Sequence, residues 1–402
     1  MSAAPELWLN PLLAALHDGQ VALGALADAL GLADRSHGQA AWPWSRRVAT
    51  ETLAIDRGLA RQVGFALLAS ALALLLALAA LLVRRARWPL AACALAAAWF
   101  APWPPAALWL TPAAPTSFQA SPAPFSIATT LHGAQVYAQH CLACHGASGR
   151  GDGPRADALP VWPPTVAGPL LARRLDGELF WHVAAGMRDR DGRTTMPAFA
   201  GRLDDREIWA ALDYLRVLSA AGGSESGAGW PVPLPIPALD VQCAGGAAQP
   251  LARWRSGQRV RIVALEAGAV PPFEDARWQT LLLTRDGRPP QHVPDDGPRA
   301  TCTAVTPGAW TIFSTIADRP VTAFAGAELI ADRGGWLRAA AAPGARWSDA
   351  NLMCGVEADR ERAAAARNGT SSTSAGTQGG IDTLLARIDA EPVSNIQGGY
   401  PH

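Results

Sequence analysis

The sequence contains no lysine: all 34 basic residues of its 402 are arginine, and 34 acidic residues balance them. With a net charge of zero and no basic stripe, nothing stands out to hold a phosphate backbone, and no nucleic-acid partner is expected. Methionine is scarce at four residues, and the His-rich or Met-rich clusters that copper handling requires are missing. The first 60 residues lack a basic segment followed by a short apolar core and a cleavage site. No ordinary signal peptide is expected there. Between Trp88 and Arg150 no basic residue occurs, which suits export of the chain beyond residue 111.

Half of the chain is hydrophobic, and the excess lies before residue 112. Residues 1–62 read as a helical, membrane-proximal segment. Residues 63–111 hold two apolar stretches, Val63–Val83 and Trp88–Leu110, separated by Arg84, Arg85 and Arg87. Each has about the 20 residues that a hydrocarbon core of roughly 30 Å requires. Two transmembrane helices are therefore expected, the second kinked by Pro102, Pro104 and Pro105 and flanked by interfacial tryptophans. The arginine turn suits the cytoplasmic side. Residues 112–130 form a Pro/Ser/Thr/Ala linker, 131–220 a helical unit, and 221–237 a second linker that is flexible and then proline-stiffened. From 238 to 357 come β-type runs, among them Arg259–Leu265 and Thr280–Thr284. Asp332-Arg333-Gly334-Gly335 has the turn residues of a hairpin. Residues 358–402 are a largely disordered tail, with one short helix expected at Ile381–Ala390.

Six cysteines are present. Cys93 lies in an apolar run, and Cys243, Cys302 and Cys354 allow one disulfide whose pairing the sequence leaves open. Cys141 and Cys144 belong to Cys-Leu-Ala-Cys-His, with His145 closing the motif. Two thiols at i and i+3 on one helical turn can each form a thioether to a heme vinyl group. The adjacent imidazole then meets the iron from the same face. A zinc half-site needs a second ligand pair at suitable spacing, and none follows. A dithiol redox pair needs a preceding buried strand, whereas this lead-in is helical. One covalent heme c is expected, and its attachment requires an exported compartment, the periplasm.

Around that motif the chain resembles the class I cytochrome c family. Gly133 and Tyr137 match its G-x-x-x-Y/F pattern, and Asp204–Ser219 matches its closing helix, with Trp209, Leu212, Tyr214 and Leu215 as the contact face. Thr195-Met196-Pro197-Ala198-Phe199 resembles its Met-Pro loop. The resemblance covers about 90 residues and implies a small all-α fold around one heme. Met196 is favoured as the sixth iron ligand opposite His145, with Met187 and His182 as alternatives. Pro163-Pro164 falls where the family places a proline carbonyl against the proximal histidine. Trp162, Arg155 and Arg150 are candidates for propionate contacts.

The region 238–357 resembles, faintly, a thioredoxin-like α/β fold, through its Arg259–Leu265 strand and the Leu329–Ala339 hairpin. The position of the catalytic Cys-x-x-Cys instead reads Glu266 to Pro272, so thiol exchange is not expected. The order of parts also resembles bacterial fusions of a copper-resistance D-like membrane domain with a cytochrome c. The expectation is a membrane-anchored electron carrier in the bacterial inner membrane, in contact with lipid and with redox partner proteins. An electron-transfer or docking subunit of a larger complex, and a copper- or thiol-handling accessory protein, are the alternatives.

Overall fold

The computed structural model describes residues 8–168, 171, 174–221, 234–344, 347 and 380–393. The chain divides into two compact units, one reaching from the N-terminus to Gln119 and the other from Ala120 to Val393.

In the first unit the helices are α1 (Leu9–Ala29), α2 (Thr50–Ile55), α3 (Arg57–Leu82), α4 (Arg87–Trp99) and α5 (Ala106–Trp109). Asp56 caps α3 by accepting the Leu59 N–H at 2.9 Å. At 26 residues α3 is about 39 Å long, enough to cross a hydrocarbon core. Its mean hydropathy reaches 2.7, and it is the one helix among the described residues long and apolar enough for that role. Only Ala60, Val63 and Ala66 are buried, and the first two pack with Leu9, Leu13, Leu53 and Leu108. Leu72, Leu75, Leu81 and Leu82 are exposed.

The second expected span does not form as a helix of spanning length. α4 has 13 residues, about 20 Å, because Pro102, Pro104 and Pro105 cannot donate the backbone bonds that would extend it. The chain nevertheless returns to the start of α3, where the Gln62 side-chain amide donates to the Trp103 carbonyl at 2.9 Å. The expected linker at 112–130 also departs from expectation. Thr111–Pro112 pairs with Arg46–Arg47, and Trp42 N–H donates to the Pro115 carbonyl at 2.7 Å. Thr116, Ser117 and Gln119 are buried, and Gln119 donates to the Ser36 and Ala40 carbonyls. Polar residues read as a solvated tether from composition are here occupied in turn and backbone bonds.

The second unit opens with α6 (Ile127–His140) and α7 (Leu142–His145), followed by α8 (Asp176–Ala185) and α9 (Asp205–Ala221). A capping box between Ser126 and Thr129 starts α6. Reciprocal bonds between Asp204 and Glu207, both 2.8 Å, start α9. α6 and α9 cross at Gly133, where a Cβ would lie 1.8 Å from the Ala210 carbonyl oxygen. Only glycine permits that approach.

Eight strands follow: β1 (Leu234–Pro235), β2 (Asp240–Cys243), β3 (Gln249–Pro250), β4 (Val260–Ala264), β5 (Gln279–Leu283), β6 (Cys302–Ala304), β7 (Glu328–Ala331) and β8 (Trp336–Ala341). They form one sheet in the order β1-β8-β7-β4-β5-β6-β2-β3. β4, β5 and β6 run parallel and every other neighbour is antiparallel. A short helix, α10 (Leu251–Arg255), lies between β3 and β4 in the chain. Proline at each outer strand leaves little edge for another chain to pair with. The β7–β8 hairpin forms at the expected turn, where the Asp332 carboxylate accepts the Trp336 N–H at 2.9 Å. A thioredoxin-like order would join its parallel strands through helices. Here 265–278 and 284–301 connect them as loops.

Cys243 and Cys302 face each other across β2 and β6 and form a disulfide. Cys354 lies outside the described residues. The bridge closes a loop with a sequence separation of 59. Its replacement by two serines is expected to lower stability by about 2–4 kcal/mol, because a long loop in the unfolded chain is freed. Thermal unfolding of oxidised parent and variant measures that difference.

The sheet is not an independent module. Its core is continuous with the helices through α11 (Ala309–Ile316), where Ile312 and Phe313 join Ile127, Val217 and Ala220 in one buried cluster with Ile262 and Leu281. On another part of the sheet α12 (Ile381–Ala390) buries Leu384, Leu385 and Ile388 against Trp278, Ile330 and Ala339. A helix was expected at this place. Most of the second expected linker, 222–233, and most of the expected tail, 358–379 and 394–402, lie outside the described residues.

Candidate heme-binding site

The Cys-x-x-Cys-His motif continues the helical path of α6. Cys141 N–H donates to the Tyr137 carbonyl at 2.9 Å, and both Cys144 and His145 N–H donate to the Cys141 carbonyl at 3.1 and 2.9 Å. Tyr137 closes the turn by donating its hydroxyl to the Gly146 carbonyl at 2.7 Å, and its ring packs 5.4 Å from that of Tyr214. Gly146 leaves α7 at φ +77, with no room for a side chain beside Asp152. Neither Cys141 nor Cys144 is in a disulfide. Burial, and then the neighbouring Cys144, push the Cys141 thiol up to about 11. That thiol is therefore protonated at neutral pH.

A loop from 146 to 168 folds back over the motif. Gly151 N–H donates to the His145 carbonyl at 2.9 Å, Gly153 to Cys144 at 3.2 Å and Arg155 to Ala143 at 2.8 Å. Val166 N–H donates to the Gly149 carbonyl at 2.7 Å, which brings the Pro163-Pro164 stretch alongside. A Cβ on Gly151 would lie 2.1 Å from the Pro163 carbonyl and 3.4 Å from the Trp162 indole nitrogen. Pro163 is thus buried against Gly151, and it is the Pro164 carbonyl that acts on His145. Burial lowers the His145 pKa and the Pro164 carbonyl partly opposes it. Nδ1 is buried with no partner at full hydrogen-bond geometry. The imidazole is kept neutral, the form that binds a metal.

Across the domain, α8 ends at Gly186 (φ +73), where any Cβ would lie 2.7 Å from the Met196 carbonyl oxygen and the Ala198 nitrogen. Met187–Arg188 and Thr194–Met196 then form a small hairpin in which the two methionines face each other. Met196 is half-buried and packs on the cluster of Val136, Phe180, Phe199, Leu203 and Trp209. Met187, the alternative thioether, is 40 % exposed. His182 is half-buried on α8, and its pKa is lowered by burial and by Arg174, with Glu178 opposing. Trp162 is 58 % exposed, and Arg150 and Arg155 are exposed as well.

The residues fit a covalently held heme: two unpaired thiols on one turn, one neutral buried imidazole, and a thioether supplied from a separate loop. Among the described residues no group of three or more His, Cys, Asp or Glu is placed to hold a metal ion. Sequence reasoning missed Gly151 and Gly186, whose crowding is visible only once the loops are folded.

A helical domain that presents Cys-x-x-Cys-His at the end of its first helix and a Met-Pro loop before its last is a c-type cytochrome. Residues 128–215 match the family described as cytochrome c oxidase, cbb3-type, subunit III. Cytochrome c6 of Picosynechococcus sp. is 33 % identical over 96 residues, covering 23 % of this chain and 75 % of that protein. The chain belongs to the class I c-type cytochromes, and membership implies covalently bound heme c. A solved structure, the reducing HAO-like protein complex of Kuenenia stuttgartiensis, shares 29 % identity over 24 % of this chain, with a TM-score of 0.22. The chain spans 47 % of that structure's chain.

Proposed function

We propose that this protein is a membrane-anchored cytochrome that carries one heme c and passes single electrons on the periplasmic side of a bacterial inner membrane. The observation that carries this reading is the Cys-x-x-Cys-His turn at the end of α6 together with a Met-Pro loop ahead of α9. The Cys141–His145 turn lies at the end of α6, and the Met196 loop packs on the cluster formed by α8 and α9. In it Cys141 and Cys144 would hold the heme by thioethers, and His145 and Met196 would ligate its iron. When bound, heme would supply a one-electron iron couple. Pro164 would orient the His145 ring, with Pro163 shaping the loop, while Trp162 and Arg155 would contact the propionates. α3 is the anchor, and Arg84, Arg85 and Arg87 at its far end favour the cytoplasmic side.

Met196→Ala tests the assignment. The long-wavelength thioether–iron charge-transfer band is expected to vanish and the reduction potential to fall, because thioether ligation raises it. An unchanged spectrum would point to Met187 or His182. In the same reading the eight-stranded sheet is a scaffold without a thiol pair. Its shared core with α6 and α9 favours a second possibility, that the chain is an electron-transfer subunit of a larger complex. The match to an oxidase subunit family supports that version. Recovery in mild detergent of a stoichiometric complex with other subunits would choose it over a free carrier. The copper- or thiol-handling alternative finds no support in the described residues, where two of the three remaining C-terminal cysteines are joined.

A further inference from the structure

The Met196 loop is tied down differently on its two sides. On the C-terminal side, Phe199 and Ala200 N–H donate to the Val183 and Ala184 carbonyls of α8 at 3.1 and 3.0 Å. Those are backbone bonds that almost any sequence can make. On the N-terminal side there is only a two-step ladder, Met187 to Met196 and Arg188 to Thr194, interrupted by a bulge. A two-stranded hairpin this short is marginal in water without further support. Support comes from side chains at its turn: the Arg188 guanidinium donates to the Gly192 carbonyl at 2.9 Å, and the Asp189 carboxylate makes the larger set of bonds.

One carboxylate oxygen of Asp189 accepts the backbone N–H groups of Asp191 and Arg193, at 3.0 and 2.9 Å. The other accepts the Arg193 Nε–H at 2.8 Å. Its own backbone N–H donates to the Arg193 carbonyl at 2.9 Å and its carbonyl accepts from Gly192 at 3.1 Å. The Asp189 side chain is 16 % exposed, against 75 % for Asp191 and 63 % for Arg193. It is folded inward over the turn while its neighbours point to water. Burial works against its ionisation, and the bonds from Arg193 and Asp191 outweigh that, so its carboxyl titrates below the usual range.

We propose that Asp189 is a positioning residue for the sixth iron ligand: its carboxylate closes the Met187–Met196 hairpin and so holds the Met196 thioether in place. The inference rests on the reading of Met196 as that ligand. Exposed ion pairs contribute little, whereas unmade turn bonds free the loop, so the two backbone bonds matter more than the contact with the Arg193 guanidinium. An asparagine keeps an acceptor for both N–H groups, a serine keeps a weaker one, and an alanine keeps none.

The test uses the full-length, heme-loaded ferric protein titrated with imidazole. Imidazole enters only where methionine has left, so its apparent affinity reports the fraction of open loop. Asp189→Ala is expected to bind imidazole about tenfold more tightly, with a weakened charge-transfer band and unchanged heme content. Asp189→Asn should stay within about twofold of the parent and Asp189→Ser should fall between. Asp191→Ala, altering an exposed carboxylate in the same turn, should match the parent. Parent-like affinity in Asp189→Ala, beside a Met196→Ala that has lost the band, overturns the positioning role and leaves the ligand assignment standing. An intact band in Met196→Ala overturns both. An equal rise in Asp191→Ala makes the effect one of charge and also overturns it. Should Asp189→Ala not retain heme, the Asn and Ser variants decide, and equal affinities for both and the parent refute it.

Discussion

Replacing Cys141 and Cys144 together by alanine is expected to yield a protein from which acidified organic solvent extracts every heme. The parent should retain its heme through the same treatment. The two sulfurs lie on a single turn, held by the bonds from Cys144 and His145 to the Cys141 carbonyl and closed by the Tyr137 hydroxyl on Gly146. No other pair of unbridged cysteines in the described residues has this spacing, since Cys93 stands alone in α4. His145 is untouched by the substitution, so the variant still offers an imidazole, and residual non-covalent heme is consistent with the assignment. Heme that resists extraction from the double variant is not. A single variant should keep heme through one thioether, and the shift of its α-band from that of the parent reports the vinyl group left free.

The second large effect is expected at Gly133. Alanine there would put its Cβ 1.8 Å from the Ala210 carbonyl oxygen and 2.5 Å from the carbonyl carbon, both backbone atoms of a buried helix. A flexible side chain can move aside; a helix backbone moves only by separating α6 from α9. Overpacking of this kind costs about 3 kcal/mol, and more where backbone must shift. The loss should appear as a fall in the unfolding midpoint. The Met196 band should weaken before any heme is lost, because α9 carries the Trp209 and Leu212 that pack in the cluster under Met196. Stability within about 0.5 kcal/mol of the parent would refute the close crossing.

The parts of this molecule legible in its sequence are those whose chemistry is local. Thioether attachment demands its cysteines and histidine within five residues, so the motif announces itself. α9 was legible because Asp204–Ser219 resembles the closing helix of the cytochrome c family, with Trp209, Leu212, Tyr214 and Leu215 as its contact face. The β7–β8 hairpin was legible because Asp-Arg-Gly-Gly supplies its turn. What was not legible depends on distant pairing. Nothing in the neighbourhoods of Cys243, Cys302 and Cys354 distinguishes the bonded pair; their placement on β2 and β6 does. Trp88–Leu110 has the composition of a span, yet three prolines in its distal half cut the helix after Trp99. Residues 113–119 have the composition of a tether, yet Trp42, Ser36 and Ala40, more than 70 positions upstream, give Pro115 and Gln119 fixed partners. The Pro163-Pro164 stretch was read as the place of a proline carbonyl against the histidine, and the choice between its two carbonyls needed the fold of Gly149 and Gly151.

The cluster that joins Ile127, Val217 and Ala220 to Ile312 and Phe313 has a consequence for how this chain can be taken apart or recombined. Cytochrome domains are commonly thought of as beads that shuffling can move from one protein to another at their linkers. Here a cut between 221 and 237 would strip the outward faces of α6 and α9 of their cover and leave α11 with an exposed Ile-Phe surface. Both fragments would carry a sticky wound. Heme helices and sheet should therefore be inherited, expressed and lost together, as one cassette of about 270 residues.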